Sequence, residues 1–429
     1  VYKRQPVDAV AGTSMGAVVG GLYAAGLGVE DLRSVAADVD WDRLFSDAAE
    51  RRKLPIERKT EEGRTVLSLP MRSGIPGLPT GIIQGQRITQ LLTGLTWHVH
   101  PVYDFRDLPI PFVAVAANAE TGEAVPLSKG FLPEAIRASL AIPSVFAPVQ
   151  IDTLFLIDGG IVRNLPAPDV KDLGAEIVIC SDVTKPLLPA DSLRTLVDIL
   201  TQTIAYRTVE RATEDARHCD VMIVPDIQGI GSADFARADE IIARGRDAAR
   251  KALDSMEAMG ITALREGPGG ADPESLLAPA RVREVRIRGL ENTRESTVLG
   301  SLALDVPDVI YVRDVNDAVT RVYDTGLFQR VSYRLDLPAP PVADSSERIL
   351  RVIVKDQSRD YFGASYRYEG RYKASVLATV AVRNLLLRGS TLLADLRLGE
   401  QTRVAAQLQK RFGWSVDPGV RVGAEYKRS

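Results

Sequence analysis

The chain has 429 residues, of which 45% are hydrophobic and 25% are charged, and its formal net charge is -3. This length predicts two or three domains, and the small net charge excludes the basic footprint of a nucleic-acid-binding protein. No apolar run reaches about 18 residues, so no transmembrane helix is predicted. Cys180 and Cys219 are too few for a disulfide framework, and we expect both to be buried free thiols.

The first predicted elements are a strand, a tight turn and a helix. The apolar run 7–11 leads into Gly12-Thr13-Ser14-Met15-Gly16, and small residues continue as far as Gly26. A G-x-S-x-G segment in this position predicts a nucleophile elbow, because its glycines allow the sharp turn that exposes the serine. The backbone amides that follow Ser14, such as that of Met15, are expected to face a developing oxyanion. The alternative is a glycine-rich turn that only packs.

Alternating strands and helices continue to about residue 262 and predict a layered α/β domain. Residues 111–118 and 123–127 flank Thr121-Gly122, which predicts a β-hairpin. Gly260 is suited to end the last helix, because the residue after a helix often takes a left-handed conformation. The other predicted strands are 154–157, 175–183 and 221–224, and the predicted helices are 133–141, 191–217 and 234–259.

The three histidines are the first candidates for a general base, because a serine hydroxyl needs a group that removes its proton. His98 and His100 flank Val99 just before a strand, and His218 ends a long predicted helix. Surface or helix-end roles are expected for all three, and no Asp, Glu or Cys pattern beside them indicates a metal site.

Asp158 is the better candidate for the base. The buried strand 154–157 ends there, and Gly159 and Gly160 follow at once, so the backbone can approach closely. A partly desolvated carboxylate that is hydrogen-bonded to Ser14 can act as a general base without histidine. Taken alone, the segment also fits an ordinary Asp-Gly turn, and its pairing with Ser14 favours the catalytic interpretation.

The composition changes between 265 and 279, where glycine and proline dominate and no packed element is predicted. After this linker the pattern predicts a strand at 282–288, helices near 294–303 and 313–325, and two further strands. The helix face is predicted from apolar residues at helical spacing, namely Val315, Ala318, Val319, Val322 and Tyr323. The order β-α-α-β-β indicates a small α+β module.

From about residue 361 the sequence alternates apolar and polar residues with period two. Segments of roughly ten residues with one apolar and one polar face fit the strands of a membrane β-barrel, and a soluble sandwich produces the same alternation. Four or five strands cannot close a membrane barrel, so we expect the barrel to be incomplete in this chain. The apolar positions include Phe362, Ala364, Tyr366, Tyr368, Leu392, Ala394, Leu396, Leu398, Val404, Ala406, Leu408, Val420 and Val422.

Several segments in this order resemble the patatin-like phospholipases. They are Gly12 to Gly16, Arg137 to Val149, Asp158-Gly159-Gly160 and Asn164-Leu165-Pro166. The resemblance implies a three-layer α/β hydrolase domain with a Ser-Asp dyad, in which Ser14 is the nucleophile and Asp158 the base. Gly12, Met15 and Gly16 then supply the elbow and oxyanion backbone, Gly159 and Gly160 support the aspartate, and no metal or cofactor is implied.

The family also has a glycine-rich oxyanion loop with an arginine, which lies upstream of the elbow. This sequence starts after that point, so we expect the N-terminal strand and the loop to be missing and the chain to be truncated at both ends. Loss of one oxyanion donor typically reduces the rate by about 10²–10³. We therefore expect weak or no activity on phospholipids for this chain, and rescue by the upstream segment.

The later modules resemble a POTRA domain and the first strands of a bacterial surface-antigen type barrel. Together these resemblances point to the patatin-class autotransporters, with a hydrolase domain at 1–262, a linker at 263–280, a POTRA domain at 281–357 and incomplete barrel strands at 358–429. They imply a lipid acyl hydrolase that cleaves membrane phospholipids, held in the bacterial outer membrane with the hydrolase domain at the cell surface or secreted. Some members are homodimers, so a homodimer is an expectation. The alternatives are an export or outer-membrane assembly protein with a non-catalytic α/β domain, and a lysophospholipase or triacylglycerol lipase with the same dyad.

Overall fold

The contacts in a computed structural model divide the chain into two compact units. The first comprises Val1–Ser46 and Arg87–Ala278, and the second comprises Asp47–Gln86 and Pro279–Ser429. The second unit thus includes described residues before position 87, within the range 1–262 of the predicted hydrolase domain, and the predicted domain bounds stay a prediction. The structure describes residues 7–47, 65–72, 75–77, 81–231, 234–260, 276–291, 293–338, 346–356, 360–369, 373–383, 390–411 and 419–428, so most of the predicted linker lies outside the described residues.

Strands and helices alternate along the first unit, and strands predominate in the second. The strands are β1 (Val10–Thr13), β2 (Leu67–Arg72), β3 (Ile75–Pro76), β4 (Gly81–Ile83), β5 (Phe112–Asn118), β6 (Ala124–Leu127), β7 (Ser144–Phe146), β8 (Val149–Ile151), β9 (Leu154–Asp158), β10 (Ile179–Ser181), β11 (Val221–Ile223), β12 (Ala280–Arg288), β13 (Asp308–Ile310), β14 (Phe328–Asp336), β15 (Glu347–Asp356), β16 (Tyr361–Glu369), β17 (Lys373–Arg383), β18 (Ser390–Gly399), β19 (Thr402–Arg411) and β20 (Gly419–Arg428). The helices are α1 (Met15–Ala24), α2 (Val29–Asp38), α3 (Trp41–Leu44), α4 (Gln86–Leu95), α5 (Leu132–Ser139), α6 (Ala167–Asp172), α7 (Leu196–Asp215), α8 (Ala238–Ala258), α9 (Glu295–Leu302) and α10 (Val312–Asp324).

The central strand of the first unit is β5, which is almost entirely buried. β6 pairs with β5 over residues 114–117, so β1 and β9 must share the opposite edge of β5. On that edge β1 runs parallel to β5 and ends with Thr13 opposite Val115. β9 runs antiparallel and ends with Asp158 opposite Ala116. The two strands therefore meet end to end beside two consecutive residues of β5.

Small residues let α1 pack closely in this unit. A Cβ atom added to Gly20 would lie 2.8 Å from Cγ1 of Val10, and one added to Gly21 would lie 2.7 Å from Cδ1 of Ile136 on α5. Helix α5 is itself buried along its length, with the side chain of Ile136 fully inaccessible to solvent. The predicted α/β layering is confirmed in this unit, and bulky side chains at these α1 positions would separate the layers.

Local predictions in the first unit agree with the structure where turns and caps fix the backbone. β5 and β6 form the predicted hairpin, and Gly122 in its turn has a φ of 71°. The three predicted helices correspond to α5, α7 and α8, and Gly260 follows the last of them with a φ of 74°. Both glycines take the left-handed conformation that residues with a side chain rarely adopt.

Cys180 and Cys219 form a disulfide bond, so the expectation of two free thiols is wrong. Cys180 lies in β10, and Cys219 lies two residues before β11, which pairs in parallel with β10. The backbone amide of Asp220 also donates to Val178 O at 2.9 Å, which holds the two segments together. The Cα atoms of the cysteines are 5.9 Å apart, in the usual range for a bridge, although 39 positions separate them in sequence.

The second unit contains the predicted small α+β module. Its sheet has the order β13-β12-β15-β14, with β12 and β15 parallel and the other pairs antiparallel. The predicted β-α-α-β-β order is present, with the short β13 as an additional strand. The predicted face of α10 is buried as expected at Val315, Ala318, Val319 and Val322.

Gly289 at the end of β12 takes a φ of 84°. A Cβ atom there would lie only 2.1 Å from the carbonyl oxygen of Val354, so a side chain would collide with β15.

Seven other strands of the second unit form one open sheet among the described residues, in the order β20-β19-β18-β17-β16-β2-β3. Strands β16 to β20 make an antiparallel meander in continuous register. Residues paired across neighbouring strands point to the same face, and this register brings the predicted apolar positions together. The side chains on this apolar face that are exposed to solvent include Tyr366, Tyr368, Val376, Leu396, Leu398, Val404, Val420, Val422 and Tyr426. None of the helices in the described ranges combines the length and the apolarity that crossing a membrane requires.

Candidate active site

Ser14 occupies a strained turn between β1 and α1. Its φ of 54° and ψ of -120° lie outside the regions that residues with a side chain favour, at a cost of about 1–3 kcal/mol. Gly12 makes the turn possible, because a Cβ atom there would lie 2.3 Å from the carbonyl oxygen of Gly16. The predicted strand-turn-helix arrangement is present, and the turn presents the half-buried Ser14 at the start of the helix.

The hydroxyl group of Ser14 and the carboxylate of Asp158 are in hydrogen-bond contact. The Oγ atom of Ser14 donates to Oδ2 of Asp158 at 2.5 Å, a length typical of a hydroxyl bonded to a charged oxygen. The contact follows from the sheet, because β1 and β9 end beside consecutive residues of β5. The structure therefore brings together the two residues that sequence reasoning selected for the nucleophile and the base.

The carboxylate of Asp158 is buried, with 6% of the residue exposed. Its Oδ1 atom accepts a hydrogen bond from the backbone amide of Gly160 at 2.7 Å. Burial raises the pKa of Asp158 from 3.8 to about 6, although the hydrogen bonds from Ser14 and Gly160 oppose the rise. A carboxylate with this pKa is ionised at neutral pH and is more basic than an exposed aspartate, as a general base requires.

The two glycines after Asp158 allow the carboxylate to reach this position. A Cβ atom at Gly159 would lie 2.2 Å from the carbonyl oxygen of Val115, and one at Gly160 would lie 3.0 Å from Oδ1 of Asp158 itself. The first contact involves rigid backbone, so a side chain at Gly159 would force β9 away from β5.

The N-terminus of α1 begins directly after Ser14. The amides of Ala17 and Val18 donate to the carbonyl oxygen of Ser14, at 2.9 and 3.2 Å. The first amides of a helix have no intrahelical acceptor and lie at the positive end of its dipole, and those of Met15 and Gly16 are beside Ser14. The position above Gly16 is open, because a Cβ atom there would meet nothing within 4 Å.

Ser139 also contacts Ser14, and sequence reasoning gave it no role. Its Oγ atom accepts the backbone N–H of Ser14 at 2.9 Å and donates to the carbonyl oxygen of Val115 at 2.6 Å. The sequence signal was slight, since Ser139 is one small residue at the end of an apolar helix.

The histidines bond to backbone groups away from the elbow. Nε2 of His98 donates to the carbonyl oxygen of Ala25 at 2.7 Å, and Nε2 of His100 donates to that of Thr93 at 2.9 Å. Burial lowers the pKa of His98, against the effect of its backbone hydrogen bonds. Of the expected surface or helix-end role, His100 has the helix-end position, since it directly follows the short 3-10 helix Trp97–Val99. It is not on the surface, because it packs between aromatic rings and is 1% exposed. His218 lies at the predicted helix end.

Metal-ligating side chains do not cluster in the part of the chain that the structure describes. No group of three or more His, Cys, Asp or Glu residues among those residues could hold a metal ion. The groups placed together at the elbow include the hydroxyl of Ser14, the carboxylate of Asp158 and the nearby backbone amides.

Comparison with known proteins places this site in a recognised domain. Residues 2–171 match the family described as Patatin-like phospholipase, and these residues include both Ser14 and Asp158. An uncharacterized NTE family protein of Mycobacterium tuberculosis is 36% identical over 172 residues, which cover 40% of this chain and 39% of that protein. Lysophospholipase NTE1 of Scheffersomyces stipitis is 25% identical over 276 residues, which cover 58% of this chain and 16% of that protein.

The first relatives are matched over about two fifths of their length, 41% and 39%. A solved structure of BamA from Haemophilus ducreyi lacking POTRA domains 1–3 is 19% identical, with a TM-score of 0.27, and the match covers 34% of this chain and 27% of that chain. A TM-score of this size does not establish a shared fold. The family match shows that the chain contains a patatin-like phospholipase domain over residues 2–171.

Proposed function

We propose that this protein is a lipid acyl hydrolase in which Ser14 is the nucleophile and Asp158 is the general base. The observation that carries the proposal is the 2.5 Å hydrogen bond between Ser14 Oγ and Asp158 Oδ2 at a strained turn that begins a helix. The patatin-like phospholipase match and the similarity to a lysophospholipase support acyl esters of lipids as the substrate class.

The reaction begins when Asp158 removes the proton from Oγ of Ser14 while Oγ attacks the acyl carbonyl carbon. The carbonyl oxygen becomes an oxyanion, which the amides at the start of α1 stabilise. When the tetrahedral intermediate collapses, the ester C–O bond breaks, and the departing alkoxide takes the proton from Asp158. The acyl group is then bonded to Ser14.

Water completes the cycle. Asp158 takes a proton from a water molecule as its oxygen attacks the acyl carbonyl carbon, and the bond to Ser14 Oγ then breaks. Oγ recovers the proton from Asp158, and the fatty acid leaves. Every proton that Asp158 accepts is returned within the same half-reaction, so the dyad is regenerated.

The test compares wild-type protein with Ser14→Ala and Asp158→Asn on defined lipids, with products identified by mass spectrometry. Each variant is expected to lose hydrolysis by about 10³-fold or more, because the two groups act as a unit. Unchanged hydrolysis in Ser14→Ala would contradict the proposal and favour the export protein with a non-catalytic α/β domain. Comparison of diacyl phospholipid, lysophospholipid and triacylglycerol separates the phospholipase from the lysophospholipase and lipase alternatives.

We further propose that the second unit holds the enzyme at a bacterial outer membrane, with residues 281–357 as a POTRA domain and β16 to β20 as barrel strands. These strands have 9, 11, 10, 10 and 10 residues, which matches the about 9–11 residues of a membrane-spanning strand. Their apolar face is exposed. Tyr366, Tyr368 and Tyr426 lie on it, and tyrosine is common at membrane interfaces. The disulfide is also typical of proteins outside the cytosol.

Flotation of the protein with vesicles of outer-membrane phospholipid tests this location. Leu396→Arg places a charge on the apolar face of β18 and is expected to weaken association. Gln407→Arg places the same charge on the opposite face of the neighbouring β19 and serves as the matched control, because Gln407 alternates with the apolar positions. Equal flotation of both variants and the wild type would contradict a lipid-facing sheet.

A further inference from the structure

We propose that Ser139 is a positioning residue that holds the backbone of Ser14, and thereby the nucleophile, in its strained conformation. The inference rests on the proposed function, because it assigns Ser139 a role in the reaction of Ser14. It concerns a hydroxyl group that has no access to solvent, since Ser139 is 0% exposed.

The partners of the Ser139 hydroxyl show in which hydrogen bond it donates and in which it accepts. A serine hydroxyl has one proton to donate and accepts through its lone pairs. That proton goes to the carbonyl oxygen of Val115 at 2.6 Å, so Oγ is the acceptor for the amide of Ser14 at 2.9 Å. The hydroxyl thus links the nucleophile's backbone to β5, the strand beside which β1 and β9 meet.

The hydroxyl of Ser139 accepts a backbone amide that no strand or helix accepts. The ladder between β1 and β5 ends with Thr13 opposite Val115, and α1 begins at Met15. The amide of Ser14 therefore belongs to neither element, and a buried amide without an acceptor is costly. Ser139 supplies the acceptor at a residue whose backbone is strained.

The same segment also holds the backbone of the base. Two residues after Ser139, the carbonyl oxygen of Ala141 accepts the amide of Asp158 at 2.9 Å. Residues 139–141 therefore bind the backbone of both reacting residues, one through a side chain and one through a carbonyl. Loss of the Ser139 hydroxyl removes the first of these bonds and leaves the second, so the nucleophile is expected to move relative to the base.

The kinetic test uses Ser139→Ala, with Ser139→Thr as the variant that keeps the hydroxyl. A displacement of about 1 Å can reduce the rate by about 100-fold, so we expect Ser139→Ala to lower kcat by about 10- to 100-fold. KM is expected to stay within about threefold, because substrate binding is not altered. Ser139→Thr is expected to recover most of the lost kcat.

Thr93→Val is the matched control for loss of a buried hydroxyl. Thr93 is also 0% exposed, and its Oγ1 atom donates to the carbonyl oxygen of Thr89 at 2.7 Å within α4. This variant is expected to lower the melting temperature without lowering kcat. The proposal is wrong if Thr93→Val loses as much kcat as Ser139→Ala at the same loss of stability, or if a folded Ser139→Ala retains wild-type kcat.

Amide hydrogen exchange at Ser14 provides a measurement that does not depend on activity. In the wild type the Ser14 amide is expected to be protected, and Ser139→Ala is expected to speed its exchange while the amides of β5 keep theirs. Exchange of the wild-type Ser14 amide at the rate of an unstructured peptide would overturn the proposal even if the variant failed to fold. If the proposed function alone is wrong, hydrolysis will be independent of Ser14 while the exchange result stands.

Discussion

Oγ of Ser14 lies 2.5 Å from Oδ2 of Asp158, although 144 positions separate the two residues in the chain. The contact is set by main-chain pairing, because the strands that end at these residues pair with consecutive residues of β5. The burial of Asp158 then determines how the pair responds to pH and to substitution.

The pH dependence of hydrolysis should report the pKa of Asp158. Burial raises this pKa to about 6, and the base must be ionised to accept a proton. We expect kcat/KM to rise about tenfold per pH unit below pH 6 and to level off above it. The profile should be measured on a neutral short-chain ester, whose own charge does not change. A rise centred near 4 would show that Asp158 is not the titrating base.

Asp158→Asn should stabilise the protein at neutral pH while it abolishes activity. The folded pKa is raised above the ordinary value of 3.8, so the folded state binds the proton more tightly and stability falls as pH rises through the range 3.8 to about 6. Asparagine carries no charge and so removes this loss of stability. From the difference between 3.8 and about 6 in pKa, the loss is about 3 kcal/mol at most.

Urea unfolding at pH 4 and pH 8 tests whether Asp158→Asn stabilises the protein more at the higher pH. The stability of Asp158→Asn relative to wild type should be greater at pH 8 than at pH 4. Ser14→Ala keeps the carboxylate and serves as the control for loss of the hydrogen bond. A difference between Asp158→Asn and wild type that is the same at both pH values would contradict the argument.

Alanine should be harmful at Gly159 and tolerated by the fold at Gly16. A Cβ atom at Gly159 would lie 2.2 Å from the backbone oxygen of Val115, whereas one at Gly16 would meet nothing within 4 Å. We expect Gly159→Ala to lower the free energy of unfolding by about 1–3 kcal/mol or more, and Gly16→Ala to change it by less than about 1 kcal/mol. Thermal unfolding followed by circular dichroism compares the two. Equal melting temperatures would show that β9 is not pressed against β5.

Reduction of the Cys180–Cys219 bond should destabilise the first unit. A bridge that closes a loop of this size, across a separation of 39 positions, typically contributes about 2–4 kcal/mol. We expect the Cys180→Ser, Cys219→Ser double variant to melt at a lower temperature than the oxidised wild type. It should melt at about the same temperature as the reduced wild type. Alkylation of both cysteines in the native, unreduced protein would show that the bond is absent.

Ser14 and Asp158 could be selected from the sequence because each lies in a local pattern. Ser14 stands between a strand and a helix with glycine at the tight contact, and Asp158 stands at the end of a strand with two glycines after it. Such patterns specify backbone geometry over a few residues. They therefore identify the residues, and the distance between them follows from the strand pairing.

Ser139, the disulfide and the extent of the second unit depend on contacts between distant segments. A serine on a buried helix gives no sign of which backbone it binds, and two cysteines 39 positions apart give no sign of parallel pairing between β10 and β11. Strand β2 joins the meander by pairing with β16, almost 300 residues later in the chain. A period-two pattern shows that a strand exists, and it does not show its neighbour.

The shared edge of β5 has a consequence for how the reacting groups respond to motion and to variation. Because Thr13 and Asp158 pair with adjacent residues of one strand, a shift of β5 along its axis carries the nucleophile and the base together. The register at these two positions is set by pairing with β5, so it is not set by the length of the connections between β1 and β9. The walls around the elbow can thus differ while the contact between Ser14 and Asp158 is kept.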